Sequence, residues 1–522
     1  MNIRNIIISI SVIIIVILIW SQSYWILLLV TPIIFLGIFD LFQRKHTLLS
    51  LYPVVGHLRY FFETIRPEIQ QYFVESNISG RPLNREFRAL VYQRAKQERD
   101  TRPFGTQFDV YRTGYEWINH SLAPVYFEDR HPRILFGGSE CKKPYSASPM
   151  NISAMSFGAL SKHAIMALNK GAKIGNFAHN TGEGGLSPYH LKYGGDIIWQ
   201  IGTGYFGCRN NEGFFDENLF AEKAQLEVVK MIEIKLSQGA KPGHGGILPA
   251  AKLTQEIADI RFVPMGQDVV SPPSHSSFDS PKGLLEFVEK LRNLSGGKPV
   301  GFKLCIGYKS EFLAICKAIL ETGIKPDFIT VDGAEGGTGA APIEFTNSVG
   351  MPLRDAVIFV NNALVGTGLR DNIRIIASGK ILSAFHIARI IALGADTVNS
   401  ARGMMLALGC IQSRSCNTDK CPTGVASQNP ARYKFLDIDI KAERVANFHN
   451  STVSHLTELL GACGLTDLSE LDLCHINRRN SGTSTVSYQA LYPTIKSLCL
   501  LCNKEIPESW RLDWDKASAE MW

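Results

Sequence analysis

Eight short apolar runs, each ending in Gly or Ser, alternate with amphipathic stretches over the middle of this chain. Strands that alternate with helices pair in parallel, and eight such units are the number that closes a barrel. The predicted strands are Asn151–Gly158, Ile174–Gly182, Asp196–Gly204, Met231–Ser237, Pro299–Gly307, Asp327–Gly333, Ile373–Gly379 and Thr397–Gly403. The chain is therefore predicted to be an α/β protein, a (β/α)8 TIM barrel with small flanking segments.

An open, doubly wound sheet is the alternative architecture. It would place a Gly-rich turn after the first strand, whereas the Gly-rich loops here follow the second, sixth, seventh and eighth predicted strands. In a closed barrel, the chemistry collects at the carboxyl ends of the strands. The residues expected there include Met155, Ser156, Thr181, Gln200, Lys235, Lys303, Asp332, Gly333 and Gly379.

The connection between the fourth and fifth predicted strands, from Gln238 to Lys298, is much longer than an ordinary βα loop. Its first part, up to Pro249, is rich in Gly and Pro. A long loop of this composition at the catalytic end of a barrel is typically a lid or a substrate-binding loop.

Two uncharged apolar segments, 6–20 and 24–39, precede the barrel region and are separated by the polar break 21–23. A helix of about sixteen residues spans roughly 24 Å, slightly less than a hydrocarbon core of about 30 Å, so each segment would be a minimal span. Arg4 precedes the first segment, and Arg44 and Lys45 follow the second. Positive charge at both ends favours a transmembrane helical hairpin with both termini in the cytoplasm.

A secretory signal peptide and one long tilted span are the alternatives for these segments. A signal peptide fits poorly, because no small-residue cleavage site follows residue 20 and a second apolar run begins at once. The predicted location is therefore the cell membrane, with two spans in the lipid bilayer and the catalytic domain in the cytoplasm.

Composition excludes two broad classes. Hydrophobic residues make up 45% and charged residues 20% of the chain, which excludes a mostly disordered protein. The 54 Lys and Arg residues exceed the 48 Asp and Glu residues by only six, and the barrel region has no dense basic tract, so nucleic acid is not the expected partner.

Three features of the predicted barrel indicate a flavin. Gly379 follows the seventh strand and Gly403 follows the eighth, where barrels hold a phosphate group. Lys303, at the end of the fifth strand, is expected to face the barrel mouth, where a cation can stabilise the negatively charged N1/O2 edge of a reduced flavin. An ion pair with Asp332 is the alternative for this lysine.

Three of the 11 cysteines, Cys410, Cys416 and Cys421, lie close together after the eighth strand. Thiolates at this spacing bind soft metals, and a Cys followed by Pro is common in iron–sulfur loops. A structural zinc is the alternative, but a fourth Cys or His is not close by in the sequence. Cys499 and Cys502 also have metal-ligand spacing, but Cys463 and Cys474 lie at irregular distances from them, so a second metal site is not expected there.

Several long segments together resemble the FMN-binding synthase domain of glutamate synthases, from about Asn151 to Gln428. The matching segments are 155–161, 180–185, 238–243, 331–340 and the cysteine triplet with its C-x5-C-x4-C spacing. The chain as a whole resembles the stand-alone, membrane-anchored FMN-binding glutamate synthase family proteins.

This resemblance implies bound FMN, a [3Fe-4S] cluster and the reduction of 2-iminoglutarate, formed from 2-oxoglutarate and ammonia, to L-glutamate. Cys410, Cys416 and Cys421 would ligate the cluster, and Lys241 and Arg261 would hold the carboxylates of 2-oxoglutarate. Glu183 matches an active-site carboxylate, and its alternative role is to brace its own loop. The residues that would surround FMN are Met155, Ser156, Thr181, Gln200, Lys303, Asp332, Gly333, Gly379 and Gly403.

Departures from the family pattern bear on substrate and partners. His244 and Ile247 stand where the large enzymes carry Glu and Gln, and Ile cannot donate the hydrogen bond of a Gln, a loss of about 1–3 kcal/mol. The sequence has no evident glutamine-hydrolysing domain or NAD(P)-binding unit. Ammonia is therefore expected from solution or a partner, and electrons from an external carrier such as ferredoxin, a flavoprotein or a quinone.

Two alternative functions follow from these departures. One is a membrane-bound flavin dehydrogenase or reductase that acts on a different 2-oxo or 2-hydroxy acid. The other is a non-catalytic membrane scaffold, against which the complete set of cofactor residues argues. The predicted domains are a transmembrane hairpin at 1–42, a juxtamembrane collar at 43–130, the barrel at 131–450 with an iron–sulfur loop at 405–428, and a helical extension at 451–522.

Overall fold

The computed structural model describes residues 3–22, 24–98 and 101–522. Ser23, the last residue of the predicted polar break, lies outside the described residues, and so does the side chain of Arg4. The chain divides into two compact units, Met1–Arg85 and Glu86–Trp522.

The helices of the described residues are α1 Ile3–Trp20, α2 Tyr24–Phe42, α3 Thr47–Leu51, α4 Gly56–Ile69, α5 Arg85–Ala95, α6 Lys162–Gly175, α7 Pro188–Leu191, α8 Glu217–Ala224, α9 Gln255–Arg261, α10 Pro281–Leu294, α11 Lys309–Thr322, α12 Ile343–Ser348, α13 Leu353–Gly366, α14 Ala384–Ala392, α15 Arg402–Leu408, α16 Pro430–Tyr433, α17 Ile438–Ala462, α18 Tyr488–Leu491 and α19 Glu508–Lys516. The strands are β1 Glu116–Ile118, β2 Ile134–Phe136, β3 Tyr145–Ala147, β4 Met150–Ile152, β5 His179–Asn180, β6 Ile197–Ile201, β7 Val229–Lys235, β8 Ile247–Leu248, β9 Val269–Val270, β10 Val300–Leu304, β11 Phe328–Asp332, β12 Arg374–Ser378, β13 Thr397–Ser400, β14 Ile476–Arg479 and β15 Thr485–Ser487.

The first unit is built from helices α1 to α4. Within the described residues, one helix is long and apolar enough to cross a bilayer, through its segment Trp25–Phe42. Helix α1 contacts α2. Near the end of α2, Asp40 accepts the backbone N–H of Val54 at 2.9 Å and lies 2.9 Å from Nε2 of His57. The two predicted apolar segments are therefore helical, and their arrangement as a transmembrane hairpin stays a prediction.

The second unit contains a closed barrel of eight parallel strands, which confirms the predicted barrel. The strands follow one another in chain order around the barrel, as β4, β5, β6, β7, β10, β11, β12 and β13, and β13 pairs with β4 to close it. Closure excludes the open, doubly wound sheet. Each of the eight predicted runs contributes a strand, so the apolar run followed by Gly or Ser was a reliable signal.

The second predicted run, Ile174–Gly182, supplies only the two-residue strand β5. Helix α6 continues to Gly175, and Asn176 then caps it in the left-handed conformation with φ 54°. Asn adopts this conformation more readily than most residues because its short polar side chain can hydrogen-bond locally. The helix therefore extends into the apolar run, and the strand starts late.

A hairpin formed by β2 and β3 closes the amino-terminal end of the barrel. Phe136 and Tyr145 of this hairpin are buried in one cluster with Met231 and Phe328 from the barrel strands. The aromatic rings of Phe136 and Phe328 meet edge to face with centroids 5.9 Å apart. The backbone N–H of Gly138 also donates to Asp327 at 2.9 Å. Apolar contact and a partly buried hydrogen bond thus close this end.

The segments outside the barrel are tied to its helices. Strands β1, β14 and β15 form a three-stranded antiparallel sheet. The side chain of Glu116 in β1 is 7% exposed and forms ion pairs with Arg354 of α13 and with Arg389 of α14, the latter at 2.6 Å. Helix α17 packs along α6. The predicted helical extension therefore includes a small sheet as well as helices.

Candidate active site

The carboxyl ends of the barrel strands and the loops that follow them carry two clusters of charged side chains. In the first, Nζ of Lys303 lies 3.2 Å from Oδ2 of Asp332, and each side chain is only 8% exposed. Oδ2 of Asp332 also accepts the backbone N–H of Gly239 at 2.8 Å. Burial opposes the charged form of Lys303, but Asp332 and Glu233 outweigh that effect, and the pKa of Lys303 is raised. The ion pair considered from the sequence is thus formed at the barrel mouth.

Glu233 of β7 is a central residue of this cluster that the sequence reasoning missed. Its side chain is fully buried and accepts the amide of Asn180 at 2.8 Å, the amide of Gln200 at 2.7 Å and the hydroxyl of Thr330 at 2.6 Å. The available signal was a glutamate two residues before Lys235 in a strand, since residues two apart share one face. The side-chain amide nitrogen of Gln200 donates to Glu233. The side-chain oxygen of Gln200 is therefore directed away from Glu233 and can accept a further hydrogen bond.

The second cluster surrounds Glu183, in the loop after β5. Nζ of Lys235 lies 2.7 Å from Oε2 of Glu183, and the hydroxyl of Ser271 is 3.5 Å from the same oxygen. Burial opposes the ionised form of this carboxyl group, but Lys235, Arg261 and Lys241 outweigh it and lower the pKa of Glu183. Glu183 is therefore a carboxylate at neutral pH.

Lys241 and Arg261 both lie close enough to Glu183 for the charges to act on one another. Burial lowers the pKa of Lys241 to about 8 and that of Arg261 to about 10. Among the described residues, Glu183 is the one carboxylate whose charge acts on both of these side chains. With Lys235, three buried cations thus share one anion.

The long connection after β7 closes over this cluster. Strands β8 and β9 pair within it, and the backbone N–H of Gly246 donates to Ser271 at 2.6 Å. A Cβ atom at Gly246 would overlap the carboxylate of Glu183, so only glycine permits this approach. Ile247, the next residue, begins β8 and is partly buried. The ring of His244 packs edge to face on Phe345, with centroids 5.3 Å apart.

The loops after the first two strands interlock at the same rim. The backbone N–H of Met155 donates to Asn180 at 3.2 Å, and Thr181 accepts the backbone N–H of Gln200 at 3.1 Å. Arg261 donates to the carbonyl of Phe157 at 3.0 Å and reaches the hydroxyl of Ser156 at 3.5 Å. Met155, Ser156 and Thr181 thus lie between the two charge clusters.

The predicted phosphate-binding glycines, Gly379 and Gly403, lie after β12 and β13, and Gly333, predicted to lie near FMN, follows β11. Gly379 has φ 154°, and the backbone N–H of Gly333 donates to Ser378 at 2.9 Å. Gly403 is the second residue of α15, where a Cβ atom would press on the hydroxyl of Ser400 and on the ring of Phe448. Close packing alone thus explains Gly403, whereas the backbone of Gly379 is in a conformation that side chains rarely adopt.

Three buried polar atoms near the mouth lack a hydrogen-bond partner in the described part of the chain. They are Nε2 of Gln238, which follows β7, Oδ1 of Asn399 on β13 and Nε of Arg261 on α9. Native proteins rarely leave such atoms unpaired, so a polar group from outside the chain is expected to meet them. A flavin ring, which has donors and acceptors along one edge, fits this site together with Lys303 and Gln200.

The three predicted cluster cysteines come together in the loop after α15. Burial, with smaller contributions from the charges of Cys416 and Cys421, raises the pKa of Cys410 to about 12, so the three thiols lie within electrostatic reach of one another. Gln412, Arg414 and Asp419 in this loop all have positive φ angles. Such left-handed residues are uncommon outside glycine and gather at ligand-binding loops. The loop therefore fits a thiolate-bound iron–sulfur cluster.

Lys252, a second residue that the sequence reasoning missed, joins this loop to the barrel mouth. Its ammonium group donates to the carbonyl of Ala159 at 2.6 Å and to the carbonyl of Cys416 at 3.1 Å. The side-chain amide of Gln428 donates to the carbonyls of Gly158 at 2.9 Å and Leu160 at 2.8 Å. The cysteine loop is thus fastened to the loop that begins at Met155.

Comparison with known proteins agrees with this arrangement. Residues 118–466 match the family model described as the conserved region in glutamate synthase. The glutamate synthase large subunit-like protein YerD of Bacillus subtilis (strain 168) is 37% identical over 490 residues, which cover 86% of this chain and 93% of that protein. The archaeal glutamate synthase [NADPH] of Methanocaldococcus jannaschii is 38% identical over 325 residues, 62% of this chain and 60% of that protein.

The solved structures that comparison finds include flavocytochrome b2 and mandelate oxidase. A flavocytochrome b2 mutant has a TM-score of 0.43 and 12% identity and covers 85% of this chain and 97% of its own. A mandelate oxidase mutant has a TM-score of 0.40 and 16% identity and covers 72% of this chain and 88% of its own. The family model spans more than half of the chain, and we conclude that this protein belongs to the FMN-binding glutamate synthase family.

Proposed function

We propose that this protein reduces 2-iminoglutarate, formed from 2-oxoglutarate and ammonia, to L-glutamate, with FMN and a [3Fe-4S] cluster as its cofactors. The observation that carries the substrate assignment is the excess of buried positive charge around Glu183. Three cations, Lys235, Lys241 and Arg261, share this single carboxylate. A dicarboxylate such as 2-oxoglutarate would balance the two remaining charges, because buried charges are stable only when they are paired.

The residues of the mouth divide between cofactor and substrate in this proposal. Lys303 and the side-chain oxygen of Gln200 would meet the polar edge of the flavin, and Gly379 would approach its phosphate. When bound and reduced, FMN would supply the hydride that the imine carbon receives. Lys241 and Arg261 would hold the carboxylates and so orient that carbon.

Glu183 and Lys241 differ in how well they suit proton transfer. The lowered pKa of Glu183 makes it a weak proton acceptor, so its role as the partner of Lys235 is the better supported one. The pKa of Lys241, about 8, lies close to physiological pH. A group with such a pKa is the more effective acid or base, which favours Lys241 for exchange of a proton with the substrate.

The cluster ligands in this proposal are Cys410, Cys416 and Cys421. Gln428 and Lys252 tie their loop to the segment between Gly158 and Leu160 at the mouth. That attachment supports a cluster next to the flavin, where it would pass single electrons to it. An external carrier, such as ferredoxin, a flavoprotein or a quinone, would supply these electrons, and ammonia would come from solution or a partner.

We also propose that the first unit anchors the protein in the cell membrane through α1 and α2, with the barrel in the cytoplasm. Large apolar side chains of α2 are exposed, Trp25 at 85% and Leu28 and Leu29 at 70% each. Contiguous exposed apolar surface of this kind is rare in soluble proteins and suits a hydrocarbon environment.

A different 2-oxo acid is the second candidate substrate, and Ile247 is the observation that favours it. This apolar residue follows Gly246 directly, and Gly246 touches the carboxylate of Glu183. The side chain of Ile247 cannot donate a hydrogen bond to a substrate oxygen. The surrounding cations would still select an acid with negative charge.

The central test is reoxidation of photoreduced, detergent-purified protein under anaerobic conditions. We expect 2-oxoglutarate with ammonium, but not 2-oxoglutarate alone, to reoxidise the flavin and to yield glutamate. Ile247→Gln is expected to bind 2-oxoglutarate roughly tenfold more tightly, since one hydrogen bond contributes about 1–1.5 kcal/mol, and Ile247→Leu is the control. Reoxidation by another 2-oxo acid only would reject the proposed substrate in favour of the second candidate.

Binding of 2-oxoglutarate should weaken as the pH rises through about 8, because Lys241 loses its positive charge there. Loss of a charged hydrogen bond of about 1.5–3 kcal/mol corresponds to a decrease in affinity of roughly 10- to 150-fold. The measurement is the Kd from the flavin spectrum without ammonia, whose own ionisation would interfere. Lys241→Met should bind weakly without this pH step, and Lys241→Arg should shift the step to higher pH. If the affinity of Lys241→Met still fell as the pH rose through about 8, the titrating group would be a residue other than Lys241.

Replacement of Cys416 by Ser is expected to remove most of the iron and acid-labile sulfide, together with the paramagnetic signal of the [3Fe-4S] cluster. The flavin should remain bound, because Cys416 lies in the loop after α15 and not at a barrel strand end. Metal analysis and electron paramagnetic resonance provide the measurements. Cys502→Ser, at an exposed thiol of the C-terminal segment, is the matched control. Unchanged iron in Cys416→Ser would remove this residue from the ligand set.

Washing cell membranes with alkaline carbonate checks the proposed anchor. The chain should stay in the membrane pellet, because apolar helices resist extraction whereas charge-bound proteins are released. Deletion of residues 1–42 should transfer the chain to the soluble fraction with its flavin. Release of the full chain by the wash would contradict a membrane-spanning segment.

A further inference from the structure

A short turn outside the candidate active site brings a carboxylate, a thiol and an imidazole together. Asp472 caps the 3₁₀ turn Leu473–His475, which joins the segment after α17 to β14. The possible ligand atoms of Asp472, Cys474 and His475 lie within 4.8 Å of one another. Sγ of Cys474 is 3.6 Å and Oδ1 of Asp472 is 3.0 Å from Nδ1 of His475. Asp472 and Cys474 are exposed and His475 is partly buried, so solvent reaches the group.

The contacts of this turn converge on Nδ1 of His475. The backbone N of Asp472 lies 3.2 Å from this nitrogen and Oδ1 of Asp472 lies 3.0 Å from it, and the tautomer of the ring decides which contact is a hydrogen bond. Oδ1 of Asp472 also accepts the backbone N–H of Cys474 at 2.8 Å. A zinc ion would take the one in-plane lone pair of Nδ1 and replace the hydrogen that this contact shares.

We propose that Asp472, Cys474 and His475 form a surface site for a zinc ion. Zinc binds thiolate sulfur at about 2.3 Å and imidazole nitrogen at about 2.0–2.1 Å in tetrahedral geometry, which separates the two ligand atoms by about 3.6 Å. The Sγ–Nδ1 distance in the turn is also 3.6 Å. A mixed sulfur, nitrogen and oxygen donor set selects zinc over the hard cations calcium and magnesium, which bind oxygen ligands.

The turn is held in place before any ion binds. Asn119, next to β1, donates its backbone N–H to the carbonyl of His475 at 2.8 Å and its side-chain amide to the carbonyl of Cys474 at 3.1 Å. All three ligands come from four consecutive residues, so zinc closes only a very short loop and adds little to the stability of the fold. The fourth coordination position faces solvent, as in sites that exchange their metal or accept a further ligand.

Protection of a thiol by zinc tests this site on the unmodified full chain in detergent. Cys474 and Cys502 are both exposed, so Cys502 serves as an internal control. We expect Zn²⁺ to slow alkylation of Cys474 by iodoacetamide at least tenfold and to leave Cys502 unaffected, as followed by mass spectrometry of the peptides. Equal slowing of both thiols, or of neither, would overturn the proposal.

Zinc stoichiometry provides a second measurement. Equilibrium dialysis followed by metal analysis should show one zinc ion fewer per chain in Cys474→Ser and in His475→Gln than in the parent. Zinc bound at other sites is the same in all three proteins, so subtracting the variant value from the parent value removes it. Asp467→Asn is the matched control, because Asp467 caps the turn Leu468–Glu470 and accepts the backbone N–H of Ser469 at 2.8 Å, without a neighbouring thiol. Equal zinc in the parent and in both ligand variants would refute the site.

Discussion

Buried charges at the mouth of the barrel must be paired within hydrogen-bonding distance, and this requirement organises the candidate site. Removal of one partner from such a pair generally costs about 3–5 kcal/mol, a large fraction of the stability of a domain. Glu233 meets the requirement with three hydrogen-bond donors, and Asp332 meets it with Lys303 and a backbone N–H group. The partners come from different strands, so the charge pairs also fix the relative positions of those strand ends.

The cluster around Glu183 departs from this balance. It retains more positive than negative charge after every described ion pair is counted, whereas the cluster around Asp332 has a direct partner for its lysine. An imbalance of buried charge is unfavourable in isolation and is typical of a site that binds an anion. The two clusters therefore suit different ligands although they share one rim.

The barrel could be predicted from the sequence because each of its strands is an apolar run followed by a small residue. Lys303, Asp332, Lys241 and Arg261 could be located because they follow such runs or stand in segments with family resemblance. Glu233 was missed because it lies two residues before the end of β7, and its partners Asn180, Gln200 and Thr330 come from three other strands that meet it only once the barrel closes. Lys252 was missed for a related reason, since its contact with Cys416 joins residues 164 positions apart. Long-range contacts of this kind leave no local pattern in the sequence.

The closed amino-terminal end of the barrel determines where reactants enter and leave. The hairpin of β2 and β3 fills that end with aromatic side chains, so reactants have no passage along the barrel axis. Small and large reactants must therefore enter by the same rim and leave by it. Under the proposed function, a protein that delivered ammonia or electrons would have to approach from this one side, and two such partners would compete for space unless they docked in turn.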